Sequence, residues 1–221
     1  MSSKDLRAVL IDACLQADRL GLNSGTAGNL SVRYADRMLI TPTGIACCDL
    51  KQNMIVECAL DGGHSGRWRP SSEWNMHAEI YKAFPEAQAV VHAHPDNCVA
   101  LSCLRKPLPA FHYMIASFGG DDVPCSAYAC FGSRELAQAA VQALQGRNAC
   151  LLANHGMICF SDSADKAVAN AAKLETLARQ YLKAHTIASP VLLDEAEMRT
   201  VRSQYRTYGQ QPAADISGND S

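Results

Sequence analysis

No stretch of this chain stays apolar for the about 20 residues that a membrane-spanning helix needs. Charge of one sign is equally scarce as a patch. The 20 basic and 22 acidic residues leave a formal net charge of -2, and neither sign is clustered. Nucleic acid and anionic membranes therefore find no electrostatic footprint. Asp5, Arg7 and Asp12 interrupt the apolar residues between Met1 and Leu15, so no signal peptide is expected there. The 10 cysteines include no C-x-x-C pair, which removes the common zinc-knuckle and redox motifs. Cys14, Cys98, Cys150 and Cys159 lie inside apolar segments, where free cysteine behaves as a small hydrophobe. A chain of 221 residues, 48% of them hydrophobic, fills a core without disulfides. A reduced, cytoplasmic protein is expected. There is no internal repeat and no sign of a second domain. Residues 1–209 read as one domain, and the small, polar stretch 210–221 as an unstructured tail.

What the chain does contain is a regular alternation of patterns. Leu6, Val9, Leu10, Ala13, Cys14 and Ala17 recur at helical spacing, predicting a first helix over 3–20. Leu30 to Arg33 and Met38 to Thr41 read as a hairpin, and Met54 to Leu60 as a further strand. Trp74, His77, Ala78 and Tyr81 predict a helix over 74–84, with Ser71 or Ser72 as its N-cap and Glu73 in its first turn. Helices are also expected over 96–104 capped by Asp96, 134–144 capped by Ser133, 165–184 and 195–205. Strands are expected over 89–95, from His112 to Ile115, over 149–153 and over 157–160. The sum is a single α/β domain with a mixed central sheet covered by helices.

The chemistry concentrates where strands end. Ala89-Val90-Val91-His92-Ala93-His94-Pro95 is a short buried strand stopped by proline. Side chains alternate along a strand, so His92 and His94 leave it on one face and can converge on one metal ion. His155 ends another apolar strand beside Gly156. Three such histidines with one carboxylate form a mixed nitrogen and oxygen site suited to zinc, or alternatively to manganese or cobalt. Glu73 is a candidate for that carboxylate. Glycine-rich turns at Gly25 to Asn29 and at Pro42 to Gly44 offer backbone N–H groups suited to a phosphate, although either alone reads more readily as an ordinary turn. The helix start at Ser71-Ser72 is a third place for an anion, or merely a cap.

Several of these stretches together resemble the class II aldolase and adducin family, on its L-fuculose-1-phosphate aldolase branch. They are Gly25-Thr26-Ala27-Gly28-Asn29-Leu30-Ser31, Leu39-Ile40-Thr41-Pro42-Thr43-Gly44, Pro70-Ser71-Ser72-Glu73, Val91-His92-Ala93-His94, His112-Tyr113, Phe131-Gly132-Ser133-Arg134-Glu135-Leu136, Asn154-His155-Gly156 and Thr207-Tyr208-Gly209. Order and spacing agree along nearly the whole chain. The resemblance implies a mainly antiparallel sheet and a cyclic homotetramer with sites at subunit contacts. It implies that His92, His94 and His155 hold zinc, with Glu73 as a fourth ligand that becomes the proton shuttle. Thr26, Gly28, Asn29, Thr43, Gly44, Ser71 and Ser72 would bind phosphate as one pocket. Tyr113 would protonate or steady the aldehyde oxygen, and Phe131 and Tyr208 would wall the aldehyde. The implied substrate is a ketose 1-phosphate, either L-fuculose 1-phosphate or a 5-deoxy- or 5-methylthio-ribulose 1-phosphate, cleaved to dihydroxyacetone phosphate and an aldehyde. A dehydratase, epimerase or decarboxylase on the same scaffold is the alternative, and a non-catalytic module like an adducin head a third.

Overall fold

The computed structural model describes residues 2–205. Helix α1 (Ser3–Arg19) opens with a capping box, in which the Ser2 hydroxyl accepts from the Asp5 N–H and the Asp5 carboxylate accepts from the Ser2 N–H. The hairpin β1 (Asn29–Tyr34) and β2 (Arg37–Ile40) follows, then β3 (Val56–Ala59), α2 (Trp74–Ala83), β4 (Ala89–Ala93) and α3 (Asp96–Ser102). Two-residue strands β5 (Leu108–Pro109), β6 (Asp122–Val123) and β7 (Cys125–Ser126) come next. The chain closes with α4 (Arg134–Ala143), β8 (Ala149–Leu152), β9 (Gly156–Ser161), α5 (Ala164–His185) and α6 (Glu195–Tyr205). Seven strands form one sheet in the order β3-β2-β1-β4-β9-β8-β7. Every neighbouring pair is antiparallel except β7–β8. The mixed, mainly antiparallel sheet expected of the family is therefore present.

Successive residues of a strand feed opposite cores. Val91 and Leu39 belong to the apolar cluster shared with α1, α3 and α5, whereas Val90 and Ile40 belong to the one shared with α2 and α4. Burial on both faces explains why β4, β8 and β9 read as continuous apolar runs rather than alternating ones. It also makes β4 an interior strand, paired with β1 on one side and β9 on the other. The two residues after Val91 that carry chemistry thus stand on the most enclosed part of the sheet.

Three local expectations need correction. His112 to Ile115 is not a strand: Tyr113–Phe118 forms a 3-10 helix. The His112 ring accepts the Met114 N–H at 3.2 Å, and the buried Ile115, Ala116 and Phe118 fit one tight turn as well as an alternating strand. Neither Ser71 nor Ser72 is the N-cap of α2. Glu73 itself holds that position, and no side chain caps the helix. The Ser71 hydroxyl instead accepts the Glu73 N–H at 3.3 Å. Asp96 does not cap α3, whose N-cap is Pro95. The Glu175 carboxylate reaches across from α5 and accepts the N–H groups of Asn97 and Cys98 at 3.1 and 2.9 Å. That clamp fixes the helix directly after His94-Pro95. Tyr208 and the stretch 210–221 lie outside the described residues.

Candidate metal centre and adjoining cavity

Glu73, His92, His94 and His155 each offer one ligand atom, and the four atoms lie within 4.8 Å of one another. Their convergence has four separate local causes. His92 sits on β4, fully buried, with its Nδ1 2.8 Å from the carbonyl oxygen of Met157 on β9. The carbonyl can only accept, so Nδ1 carries the proton and Nε2 faces the cluster. His94 follows one residue beyond the strand end, and its Nε2 stands 2.8 Å from His92 Nε2. His155 comes from the tight β8–β9 connection, where Asn154 takes a left-handed φ of 52°. There the backbone N–H groups of Asn154 and His155 donate to the carbonyl and hydroxyl of Ser102 at 3.1 and 3.2 Å. Glu73 is delivered by the start of α2.

The set fits a divalent cation. His92 Nε2 meets Glu73 Oε2 at 2.9 Å, and His155 Nε2 meets Glu73 Oε1 at 3.4 Å. Ligands held 2.0–2.1 Å from a tetrahedral ion stand about 3.4 Å apart. Glu73 Oε1 is buried without a hydrogen-bond partner, a costly state unless a cation or substrate proton takes it up. Burial, with the neighbouring imidazoles, lowers the pKa of His94 to about 4 and also lowers that of His155, so both are neutral donors near neutral pH. Burial alone would raise the Glu73 carboxyl, but the adjoining imidazoles of His92 and His155 and the Asn29 amide outweigh it and hold it below the usual range.

One cavity of about 370 Å³ opens onto this cluster. Glu73, His94 and His155 line it together with Thr26, Gly28, Asn29, Thr43, Gly44, Ser71 and Ser72. Hydrogen bonds tie the three loops together. Directly after the first loop, Leu30 N–H donates to Thr41 Oγ1 at 3.3 Å and its carbonyl accepts the Thr41 N–H at 3.1 Å. Thr43 N–H donates to the Arg69 carbonyl at 3.1 Å, and Ser71 N–H to the Thr41 carbonyl at 3.0 Å, with a bridge between Pro42 and Pro70. Gly28 takes a φ of 76°, and a Cβ there would collide with the Asn23 side chain, so any other residue strains that turn and must push Asn23 aside. His92 lies beneath the cavity rather than on its wall.

Phe131 lines the cavity and is 67% exposed. Tyr113, 52% exposed, is not among the lining residues and stacks instead on His112. Sequence reasoning gave no site role to Tyr128 or Asn154, both of which line the cavity. Tyr128, with the Arg105 guanidinium 5.4 Å from its ring centre, stands near Phe131; its place in the same loop was the available signal. Asn154 also lines the cavity and accepts from Arg105 Nε at 2.6 Å.

Gly156 secures the crowded side of the cluster. A Cβ there would lie 2.5 Å from the Ala93 carbonyl oxygen and 2.7 Å from His94 Cδ2. The carbonyl belongs to the sheet, so relieving both contacts parts β4 from β9 locally as well as turning the His94 ring. Gly156→Ala should therefore lower the melting temperature, and the protein that folds should bind metal about 10–100-fold more weakly, as outer-shell changes do. Metal titration of the variant checks this, and wild-type affinity would mean that the ring has room to spare.

Comparison with known proteins agrees with this geometry. The family model described as Class II Aldolase and Adducin N-terminal domain matches residues 8–182. The 5-methylthioribulose-1-phosphate/5-deoxyribulose-1-phosphate aldolase of Rhodospirillum rubrum is 48% identical over 204 residues, 92% of each chain. The L-fuculose phosphate aldolase of Escherichia coli strain K12 is 46% identical over 210 residues, 95% of this chain and 98% of that one. A solved L-fuculose 1-phosphate aldolase superposes with a TM-score of 0.89 at 38% identity, covering 93% of this chain and 98% of the other. A Klebsiella pneumoniae structure whose description leaves aldolase, epimerase and decarboxylase open superposes at 0.83 with 29% identity, covering 91% of this chain and 100% of its own. The chain belongs to the class II aldolase and adducin family, and it is a metal-dependent carbon–carbon lyase of the aldolase type.

Proposed function

We propose that the chain is a zinc-dependent aldolase cleaving a ketose 1-phosphate to dihydroxyacetone phosphate and an aldehyde. The substrates in view are L-fuculose 1-phosphate and the 5-deoxy- and 5-methylthio-ribulose 1-phosphates, those of the relatives above. The observation that carries this reading is Glu73. It is shared by a three-histidine cluster and by a cavity that glycine-rich loops and hydroxyls also line. A substrate phosphate anchored on Thr26, Gly28, Asn29, Thr43, Gly44, Ser71 and Ser72 would bring its carbon chain toward the cluster, spending binding energy on orientation. The ion would supply Lewis acidity toward the substrate oxygens. Cleavage moves a proton from the hydroxyl that becomes the aldehyde oxygen to the hydroxymethyl carbon of dihydroxyacetone phosphate; Glu73, once protonated, delivers it to that carbon, and it removes it there in the reverse direction.

The reading carries a cytoplasmic homotetramer with it, formed by a catalytic domain over 1–209. Tyr113, half exposed and away from the cavity of its own chain, suits presentation to the cavity of another copy. Phe131, with Tyr208, would face the aldehyde. An apolar wall distinguishes side chains by only about 1–3 kcal/mol per methylene, so several aldehydes should be accepted. A product assay on the three ketose 1-phosphates tests the proposal. Dihydroxyacetone phosphate should appear in amounts equal to the aldehyde. A dehydrated or epimerised product in its place would give the scaffold one of its other chemistries, and no turnover with bound metal would leave the adducin-like reading.

A further inference from the structure

Glu73 is not held by the cluster alone. Helix α2 carries His77 and Tyr81 one and two turns beyond Glu73, on one stripe, and strand β1 carries Asn29 and Ser31 on one face. These side chains interleave into a single buried chain of hydrogen bonds. Tyr81 Oη lies 2.8 Å from Ser31 Oγ, and Ser31 Oγ lies 2.7 Å from His77 Nδ1. His77 Nε2 lies 2.6 Å from Asn29 Oδ1, and Asn29 Nδ2 lies 3.1 Å from Glu73 Oε2. His77 and Ser31 are fully enclosed. The bland account is a satisfied polar knot between helix and sheet.

The direction of the bonds says more. A carboxylate only accepts, so the Asn29 amide must turn its N–H toward Glu73 and its oxygen toward His77. An amide oxygen accepts as well, so His77 Nε2 must carry the proton. Burial depresses His77 to a pKa of about 3, so it is neutral and has one proton to place. Nδ1 is then an acceptor for the Ser31 hydroxyl, whose oxygen accepts from Tyr81. Burial pushes the Tyr81 phenol up, so that hydroxyl stays protonated. Reversing any link would bring the Asn29 oxygen against the Glu73 carboxylate in a dry interior, where an unmatched polar pair is costly. One proton arrangement satisfies the entire chain.

We infer that His77 is a positioning residue for Glu73. As its Nε2–H tautomer, set by Ser31 and Tyr81, it locks the Asn29 amide onto Glu73 Oε2. Oε1, the oxygen without a partner, is thereby left as the atom that takes and returns the substrate proton. The role of Oε1 rests on the aldolase reading; the tautomer does not.

The test joins nitrogen-15 NMR of the His77 ring to exchange of the hydroxymethyl proton of dihydroxyacetone phosphate, measured on the metal-loaded protein. The wild-type ring should show a protonated Nε2 and a bare Nδ1. His77→Leu should slow exchange about tenfold or more while changing the dissociation constant of dihydroxyacetone phosphate less than about twofold. His77→Gln, which keeps an N–H near Asn29, should recover most of the rate. A protonated Nδ1 in the wild type overturns the inference, and it does so even where His77→Leu fails to fold. So does wild-type exchange in His77→Leu, loss of binding in step with exchange, or a glutamine variant as impaired as the leucine one. If the wild-type protein itself exchanges no proton, the aldolase reading fails instead, and the ring spectrum still decides the hydrogen-bonded chain.

Discussion

Glu73→Gln is expected to lower exchange of the hydroxymethyl proton, and carbon–carbon cleavage with it, by about 10²–10⁴-fold, the usual weight of a positioned acid–base group. The substitution is nearly isosteric, and the surroundings decide which way the new amide faces. Asn29 Nδ2 donates at 3.1 Å to Glu73 Oε2, so a glutamine must turn its carbonyl oxygen to that side. Its NH2 then falls where Oε1 was, and an amide nitrogen there can neither take up a proton nor ligate a cation. His92, His94 and His155 remain, and so do the loops that line the cavity, so metal and dihydroxyacetone phosphate should still bind. The expected signature is a fall in rate with little change in binding. Deuterium wash-out from dihydroxyacetone phosphate, followed by proton NMR, makes the measurement. Exchange at the wild-type rate in the glutamine protein would place the base elsewhere.

The parts of this molecule that repeat at a fixed period were legible in the sequence. The pair His92 and His94 follows from the two-residue alternation of a strand, and helix α4 from its Ser133 cap and its periodicity. The parts set by tertiary contact were not. His77 and Tyr81 stand four and eight residues beyond Glu73, a spacing as consistent with a plain core stripe as with a directed chain. Only the opposing Asn29 and Ser31 separate the two. The short stretch at His112 to Ile115 alternates enough to read as a strand, and the bond from Met114 N–H to the His112 ring makes it a 3-10 turn. Glu175 displaced Asp96 as the cap of α3 from 78 residues away, beyond the reach of any local rule. In the cavity, each glycine-rich turn alone reads as a turn. What joins them is contact beyond each turn: Leu30 bonds to Thr41, and Thr41 and Thr43 bond in turn to Ser71 and Arg69.

His92→Ala should be the most damaging of the single changes at the cluster. His92 is fully buried on an interior strand, with Nδ1 bound to Met157 and Nε2 within 2.9 Å of both His94 and Glu73. It is therefore the central donor of the four. Losing a partner to a ligand already costs about 10–100-fold in metal affinity, so losing this ligand should exceed about 100-fold. Cleavage should disappear with the metal. Stability offers an independent reading, because an ion that binds only the folded protein stabilises it by mass action. The melting temperature of the wild-type chain should rise with added zinc and fall with a chelator, whereas that of His92→Ala should respond to neither. The alanine leaves a cavity in a close-packed core, so its baseline melting temperature will also be lower, and the absent response to zinc is the diagnostic quantity. Full metal occupancy in the purified alanine protein, or an undiminished thermal shift on adding zinc, would remove His92 from the centre and require a different set of ligands.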